Sequence, residues 1–280
     1  MKFHVRPLIV FILIAFAFLS CPRVSAQFSK LDDITAQIAK KLKEQKPHMV
    51  AVADFTASDG SQSKQGDYFA LFVTTSLLYH AKKLPVADRK AFNLTLSKEA
   101  ITPLDLNSQE TLNKLASRVR VDFIVTGTVE TGPDSYTIHL TARRVPNASQ
   151  LIDKTTVIRR TEFTDSLSEP FPPKTDYPVV RTIGPSGAMD RDHMPSCVYC
   201  PPPTYNDEAR RDKVQGTSLF EVLVSSTGEI VKAHPTKLLG YGLDQQGFEA
   251  IKRWRLKPAL GPDGRPIAVI VMIEVTFHLY

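Results

Sequence analysis

The sequence is poor in the residue patterns from which catalytic and metal sites are usually built. Its 280 residues include three cysteines and seven histidines, and the histidines are scattered without a His-Glu-x-x-His or any other paired spacing. A near-match to a nucleophile elbow at 184–188 has Ala188 where the motif needs glycine. Asp54, Asp88 and Asp122 fall at predicted strands, where edge or capping carboxylates are more usual than an acid–base set. We therefore predict a protein that is not an enzyme and has no catalytic residue, metal ligand or cofactor.

Long hydrophobic runs are also missing, apart from one near the N-terminus. Leu8–Leu19 is apolar throughout, but a helix needs about 20 such residues to cross a bilayer. Basic residues precede this run and small residues follow it, which is the pattern of a secretory signal peptide over residues 1–26, cleaved after Ala26. We therefore expect export to the periplasm. A lipoprotein signal that uses Cys21 and an uncleaved membrane anchor are the two alternatives.

The sequence also lacks a strong excess of one charge. The formal net charge is +6, and it falls to +3 when the three basic residues of the signal peptide are removed. A charge of this size is typical of an ordinary solvated surface, so we predict no nucleic-acid partner.

Composition and hydropathy divide the rest of the chain into four segments. Residues 27–46 carry four large apolar residues at spacings of three and four, the pattern of an amphipathic helix. Residues 47–162 alternate strand and helix patterns, which indicates an α/β domain with a mixed sheet. Residues 163–200 form a proline-rich linker, and residues 201–280 form a second domain with one sheet and one helix. The predicted fold class is α+β.

The first domain is predicted to contain two helices and five strands. One helix spans Asp67–His80, and the other is capped by Asn107, with Glu110 as the second residue of a capping box. The strands are predicted at 48–55, 85–89, 121–129, 136–145 and 151–160, and the third and fourth of them form a hairpin.

A Cys-x-x-Cys motif at Cys197 and Cys200 is the sharpest local signal in the linker. In an exported chain two cysteines most often form a disulfide, either within the pair or between two chains. Pro201 stands where haem attachment needs histidine, and a proline run there argues against the helix that a redox thiol needs. A zinc site stays an alternative, although the pair supplies only half of a tetrahedral shell. We predict a disulfide between Cys197 and Cys200.

Residues 201–280 show the clearest secondary-structure patterns. Apolar residues occupy every second position from Ile267 to Leu279, which predicts a strand about 45 Å long that projects beyond its neighbours. Upstream, an alternating segment reaches a hairpin turn at Thr227-Gly228. Between them lies an amphipathic helix that ends near Trp254, a predicted core anchor. The result is a ββαβ unit with a three-stranded antiparallel sheet.

Short motifs in this region follow one another in a recognisable order. They are Pro203-x-Tyr205-x-x-x-Ala209-Arg210, Gly216-Thr217, Thr227-Gly228, Gly242-Leu243-Asp244, Trp254-Arg255 with Pro258-Ala259, and Asp263-Gly264-Arg265-Pro266. In this order they resemble the C-terminal domain of the TonB family, over about a quarter of the chain. The family more usually has alanine at Gly247, and a glycine within a helix costs about 1 kcal/mol, which close helix–sheet contact can offset.

This resemblance implies a protein that binds an extended segment of a partner. TonB C-terminal domains add the TonB box of an outer-membrane transporter as a strand at an open sheet edge. The last strand is the candidate edge, although charged outward residues also protect an edge against aggregation. The expected partner is an envelope protein of the TonB-dependent transporter type, and a homodimer is a further candidate. The predicted partner-binding residues are Val271, Met272, Ile273, Glu274, Val275, Thr276 and Phe277.

Three strands of the first domain resemble a second family. Val50–Phe55, Val86–Arg89 and Val121–Val129 are similar, in this order, to strands of FlgO- and CsgG-type envelope proteins. The long membrane-inserting hairpins of pore-forming relatives have no counterpart in the sequence, so this resemblance implies docking or assembly. The alternative function is therefore a structural or assembly component of an outer-membrane complex.

Cleavage of the N-terminal segment decides how such a protein acts. TonB energy transducers keep an uncleaved helix that couples them to a proton-driven motor. If cleavage follows Ala26, we expect an envelope adaptor that supports energy-coupled transport without transmitting force alone. Retention of Met1 restores transduction, and lipidation of Cys21 means outer-membrane anchoring.

Overall fold

The computed structural model describes residues 28–145, 147–173, 176–180 and 193–279. The predicted signal peptide, residues 1–26 with Cys21, lies outside these ranges. Among the described helices, none is both long enough and apolar enough to cross a membrane. The described chain combines helices with two four-stranded sheets, which confirms the predicted fold class.

The N-terminal sheet contains one parallel and two antiparallel strand pairs. β1 runs parallel to β2, whereas β2 with β3 and β3 with β4 are antiparallel. The spatial order follows the chain order. The strands are β1 Val50–Val52, β2 Phe123–Thr131, β3 Ser135–Arg144 and β4 Gln150–Arg159.

Helices cover both faces of this sheet near β1. Because side chains alternate across a strand, Val50 and Val52 face one core while Ala51 and Ala53 face another. The first core is closed by α1 and α2, and the second by α3, the 3₁₀ helix and α4. These helices are α1 Ser29–Glu44, α2 Lys64–His80, α3 Arg89–Lys98, the 3₁₀ helix Pro103–Asn107 and α4 Gln109–Ala116.

The predicted strand at 85–89 is wrong. It is reduced to a single bridge between Val86 and Val50. The chain turns into α3 at this point because the Asp88 carboxylate accepts a hydrogen bond from Ala91 N at 2.8 Å and caps the helix.

The predicted cap at Asn107 is also wrong, by one residue. Ser108 is the N-cap of α4, and its hydroxyl accepts a hydrogen bond from Thr111 N at 3.0 Å. A capping box is present upstream instead, where Thr102 and Asp105 bond reciprocally at the start of the 3₁₀ helix.

The C-terminal sheet has the spatial order β5-β12-β7-β8. The pairs of β12 with β7 and β7 with β8 are antiparallel, as predicted, and α7 lies across them. The linker adds β5, a parallel strand that the sequence pattern did not predict. The strands are β5 Val179–Val180, β7 Gly216–Val224, β8 Ile230–Lys237 and β12 Val269–Phe277, and the helix is α7 Leu243–Lys252.

Smaller elements complete this half of the molecule. Two short helices precede the sheet, and two short antiparallel strand pairs flank it. They are α5 Glu162–Ser166, α6 Asp207–Arg211, β6 Ser196–Tyr199 with β9 Arg255–Lys257, and β10 Ala259–Leu260 with β11 Pro266–Ile267.

The last strand is shorter than its alternating pattern predicts. The segment is divided into β11 and β12, and all nine residues of β12 have a partner on β7. The prediction that this strand projects beyond its neighbours is therefore wrong.

The two halves share one continuous apolar core. The ring of Phe163 on α5 is fully buried between Tyr68 of α2, at 5.2 Å between centroids, and Phe248 of α7, at 5.6 Å. Polar contacts also join the two halves: Lys82 lies 3.3 Å from Asp212, and Ser166 O lies 2.7 Å from His234 Nδ1. The first sheet and the C-terminal domain are thus packed as one body.

Candidate partner-binding edge

Within the described residues, β12 is fully paired on one side only. Its register with β7 runs without irregularity from Val269 opposite Val224 to Phe277 opposite Gly216. In such a ladder the backbone groups of successive residues point to opposite sides. Ile270 N donates to Pro178 O at 3.0 Å, on the side of β12 that faces away from β7. Glu274 and Thr276 lie an even number of residues further along the strand, so their backbone groups point to the same outer side.

The linker strand β5 covers the beginning of this outer side. Val179 and Val180 lie opposite Ile270 and Val271 and run parallel to β12. Beyond that point, no strand of the described residues pairs with the outer side of Ile273–Phe277. Part of the predicted edge is therefore occupied by the protein itself, and its C-terminal part has no strand partner among the described residues.

The predicted partner-binding residues fall into two groups. Val271, Val275 and Phe277 are buried and hold the strand on the core, while Met272 and Ile273 are half-buried. Only the side chains of Glu274 and Thr276 are exposed. A guest strand would therefore meet backbone groups and these two side chains, rather than seven side chains.

Aromatic packing supports the open part of β12. The ring of Tyr205 meets Phe277 edge to face at 5.5 Å, and its hydroxyl donates to Val214 O at 2.7 Å. Thr276 Oγ1 lies 3.2 Å from Thr217 Oγ1 on the neighbouring strand. These contacts fix the strand from its inner side, which keeps the outer backbone groups in one geometry.

Asp244 fixes the loop before α7 to the C-terminal sheet, a role that sequence reasoning missed. Its buried carboxylate accepts hydrogen bonds from Ser218 Oγ at 2.6 Å, Leu239 N at 2.7 Å and Gly240 N at 2.8 Å. Burial raises the pKa of Asp244, and these hydrogen bonds oppose the rise. The Gly-Leu-Asp motif was the available signal, and its acid shapes the loop before α7.

That loop approaches α2 so closely that glycine is required. Gly240 has φ +89°, and a Cβ built on it would lie 2.8 Å from Thr75 Cγ2. A larger residue would be strained and would also push the domains apart. The TonB-like motif loop is thus part of the domain contact.

Trp254 anchors the entry of the chain into the C-terminal domain. It is half-buried against the core, as predicted, and its Nε1 donates to Pro201 O at 3.0 Å. The nearby hairpin turn is equally tight, because Gly228 has φ +84° and its O accepts from Leu256 N at 3.0 Å. Several motif residues therefore act in the fold rather than at the edge.

Cys197 and Cys200 form a disulfide within the pair, which confirms that prediction. Their Cα atoms lie 6.0 Å apart, at strand β6, which pairs with β9. In the described ranges no cluster of three or more His, Cys, Asp or Glu residues is arranged to hold a metal ion. The disulfide thus closes a small loop beside the entry of the C-terminal domain.

The three aspartates of the N-terminal strands have separate structural partners. Asp88 caps α3, and Asp122 accepts a hydrogen bond from Met49 N at 3.3 Å. Asp54 pairs with Arg89 and accepts from Asn93 Nδ2 at 2.5 Å beside a cavity of about 460 Å³. Burial raises the pKa of Asp54, against the opposing charge of Arg89. The structure does not bring the three together as an acid–base set.

Comparison with known proteins finds a family match in the C-terminal region. Residues 201–279 match the family model described as Gram-negative bacterial TonB protein C-terminal. Protein TonB of Vibrio cholerae is 33% identical over 78 residues, which are 28% of this chain and 32% of that protein. The chain thus spans about a third of the length of this curated relative. These matches support a TonB C-terminal domain at the end of the chain, while the FlgO- and CsgG-type resemblance of the first domain stays a prediction.

Solved structures of bacterial proteins show weak similarity. The LpoB C-terminal domain of Salmonella enterica covers 45% of this chain and 96% of its own, with 9% identity and a TM-score of 0.34. Lipoprotein GNA1162 of Neisseria meningitidis covers 41% and 83%, with 16% identity and a TM-score of 0.30. The Pseudomonas aeruginosa TonB C-terminal domain covers 32% and 90%, with 18% identity and a TM-score of 0.27.

Proposed function

We propose that this protein is a non-enzymatic adaptor of the cell envelope that binds an extended segment of another protein by strand addition. The observation that carries the proposal is the outer side of Ile273–Phe277, which has no strand partner within the described chain although the inner side is fully paired. An exposed strand edge of this kind presents backbone donors and acceptors to a guest. The exposed Glu274 and Thr276 would add side-chain contacts.

The family match suggests where the adaptor works and what it binds. A Gram-negative TonB C-terminal domain supports a periplasmic location, reached through the predicted signal peptide. The proposed partner is a TonB-dependent outer-membrane transporter, through a segment of the TonB-box type. Binding there would support energy-coupled transport by the partner.

The linker strand sets the position of the guest. β5 ends opposite Val271, so a guest that leaves β5 in place begins at Ile273 and runs along about 17 Å of edge at about 3.4 Å per residue. A longer guest must displace β5 from Ile270 and Val271. A short guest strand that pairs with β12 beyond the end of β5 requires no rearrangement, and we propose this binding mode.

Crosslinking in the intact envelope tests the location of the guest. A photoreactive residue at Glu274 should capture a transporter that mass spectrometry can identify. The matched control is Val231, which is 61% exposed on β8 at the opposite border of the same sheet. Equal capture of the transporter from both positions would contradict a specific edge.

A proline substitution tests whether the backbone of the edge is used. Thr276→Pro removes an outward N–H without removing a hydrogen bond to β7, and edge strands tolerate proline at such positions. We expect capture from Glu274 to fall at least about fivefold, because one backbone hydrogen bond and close approach are lost. Thr276→Ala keeps the N–H and should stay within about twofold. Equal capture by the two variants would overturn strand addition.

The assembly role of the N-terminal domain gives a different crosslinking pattern. Val157, on β4, is 52% exposed, and a photoreactive residue there samples the first sheet instead of the edge. Capture of an outer-membrane complex from Val157 without capture of a transporter from Glu274 would favour that alternative. Truncation at residue 200 is a poor test, because it uncovers the buried Phe163.

A further inference from the structure

The N-terminal sheet has a polar cavity that lies apart from the proposed partner edge. It measures about 230 Å³ and lies on the face of β2 and β3 that meets the 3₁₀ helix. Pockets for drug-sized ligands usually span about 300–1,000 Å³, so this cavity suits a smaller molecule. The polar lining includes Thr56, Thr126, Thr128, His139, Thr141 and Arg143.

Strand register brings the polar side chains together. Thr126 lies opposite Thr141, with their hydroxyl oxygens 2.7 Å apart, and Thr128 lies opposite His139. Thr56 lies on the other side of β2 from β3. Its backbone N donates to Gly127 O at 3.2 Å, and its backbone O accepts from Val129 N at 2.8 Å. Hydroxyl groups from three neighbouring segments therefore converge on one small space.

Arg143 contributes a buried donor that has no acceptor. Its Nη1 donates to Asn107 O at 3.2 Å, but its Nε is buried without a hydrogen-bond partner. No carboxylate of the described residues forms an ion pair with it within 4.0 Å. A buried N–H of a guanidinium group is destabilising when it has no hydrogen-bond acceptor. Arg143 Nε therefore favours a ligand that supplies an acceptor.

The charges around the cavity favour an anion. Its lining includes arginine and histidine and no carboxylate. Asp153 on β4 is not a lining residue, but it lies opposite Thr141, contacts His139 at 2.5 Å and Gln150 at 2.6 Å, and interacts electrostatically with Arg143. An oxyanion in the cavity would therefore meet hydrogen-bond donors and no acidic lining residue.

We propose that this cavity binds a small hydroxylated anion, with its carboxylate or phosphate on Arg143 and its hydroxyl groups on the threonines. Guanidinium groups bind both kinds of oxyanion through paired hydrogen bonds. Threonine hydroxyls both donate and accept, which matches the hydroxyl groups of such a ligand. The site lies in the first domain and is independent of strand addition at β12.

Binding of simple probes to the full exported chain tests this proposal. Glycerol 3-phosphate, glycerate and inorganic phosphate are titrated at constant ionic strength, with glycerol as the uncharged control, and binding is followed by calorimetry. We expect saturable binding of glycerol 3-phosphate or glycerate, and the tighter of the two identifies the preferred anion. Phosphate alone should bind more weakly because it lacks the hydroxylated carbon chain. Failure of all three anions to bind, or equal binding of glycerol, would overturn the proposal.

Two neighbouring arginines provide a matched pair of variants. Arg143→Gln removes the cavity guanidinium and should weaken binding at least about tenfold. Arg144→Gln removes the same charge on the opposite face of the sheet, where Arg144 stacks over Phe123 at 4.8 Å, and should change affinity less than about twofold.

A third variant keeps the test decisive if Arg143→Gln folds poorly. Thr141→Val keeps the shape of the side chain but removes a cavity hydroxyl, and it should weaken the hydroxylated probes more than inorganic phosphate. Equal weakening by Arg143→Gln and Arg144→Gln would show general attraction to positive charge and would overturn the site. Unchanged binding in Thr141→Val would remove the hydroxyl contacts from the proposal.

Discussion

The N-terminal sheet is packed on both faces near β1, whereas the C-terminal sheet has α7 on one face and an outer strand that is only partly covered by β5 within the described chain. The second core of the N-terminal domain is entirely its own. The C-terminal core, in contrast, is continuous with the side chains of α1 and α2. Because a domain of about 80 residues buries a smaller fraction of its surface than a larger one, the C-terminal domain gains stability from its neighbour. An open edge is compatible with a stable fold for this reason.

Packing of this kind predicts that the two domains unfold together. Trp254 is the only tryptophan of the chain, so its fluorescence reports on the C-terminal domain, while circular dichroism reports on both. Coincident transitions would show one cooperative unit. Separate transitions would show that the C-terminal domain is stable by itself.

The largest effect is expected from Phe163→Ala, which removes the ring between Tyr68 and Phe248. Removal of a fully buried phenylalanine costs about 3–5 kcal/mol, through lost burial and the cavity left behind. Urea unfolding should shift to lower midpoint by both Trp254 fluorescence and circular dichroism. Leu94→Ala, at a side chain that is 57% exposed, is the control and should change stability by less than about 0.5 kcal/mol. A shift in only one of the two signals would contradict the shared core.

A smaller effect is expected from Asp244→Asn, which acts on the loop that meets α2 at Thr75. The amide loses charged hydrogen bonds to Ser218, Leu239 and Gly240, and hydrogen bonds to charged groups contribute about 1.5–3 kcal/mol each. Since replacement by asparagine keeps part of the geometry, we expect a loss of about 2 kcal/mol in the free energy of unfolding at neutral pH.

The pH dependence of that loss has a defined sign. Burial raises the pKa of Asp244 in the folded protein above its value in the unfolded chain. The protonated carboxyl group therefore stabilises the fold fully at pH values below the unfolded pKa. This stabilisation is lost as the pH rises through the folded pKa. The difference in unfolding free energy between the parent and Asp244→Asn should therefore shrink from acidic to neutral pH. Leu94→Ala, which changes no titratable group, is the control, and its difference from the parent should not vary with pH. A difference that grows with pH would show that the folded-state pKa is lowered.

Local patterns in the sequence were sufficient for the long elements. Alternation predicted β3 and β7, and the helical spacing of apolar residues predicted α1 and α7, because each of these elements buries one regular face. The predicted elements β2 and α2 are instead buried on more than one face. The short helix α3 was missed because only Phe92 and Leu96 on it are buried. The two-residue strand β5 lies in a proline-rich segment, and its pairing depends on β12 rather than on its own residues.

Sheet order and domain contacts could not be predicted from local patterns. The alternation of Ile267 to Leu279 indicates a strand with one buried face, but it is the same whether one or both edges are paired. The predicted edge residues therefore included Val271, which faces β5. The shared core depends on single residues far apart in sequence, such as Phe163 and Phe248, whose meeting no periodicity encodes.

Removal of the disulfide should have a limited and local effect. The bond closes a loop of three-residue sequence separation, and the loop-entropy relation gives at most about 2 kcal/mol for so short a loop. Replacement of both Cys197 and Cys200 by serine should release β6 from β9 and lower the thermal midpoint of the Trp254 signal slightly. The parent protein treated with a reductant is the matched comparison. Loss of circular dichroism from the N-terminal domain would show that the bond matters beyond the C-terminal entry.

The smallest effect is expected from Gly247→Ala in α7. Alanine is favoured over glycine in a helix by about 0.8–1.0 kcal/mol. The added Cβ would lie 3.2 Å from Phe220 Cε2 and 3.4 Å from Val275 Cγ1, which is close enough to offset part of this gain. We therefore expect a change of less than about 1 kcal/mol in the free energy of unfolding, measured with urea.

Gly247→Val separates the two opposing contributions at this position. The larger side chain presses α7 away from β7 and β12, and overpacking of this kind costs about 1–3 kcal/mol. Because Val275 lies directly beneath, this variant should also disturb the strand that carries the open edge, and crosslinking from Glu274 should fall with it. Equal stability of the alanine and valine variants would show that α7 rests loosely on the sheet. The edge would then depend on the contact with Tyr205 rather than on α7.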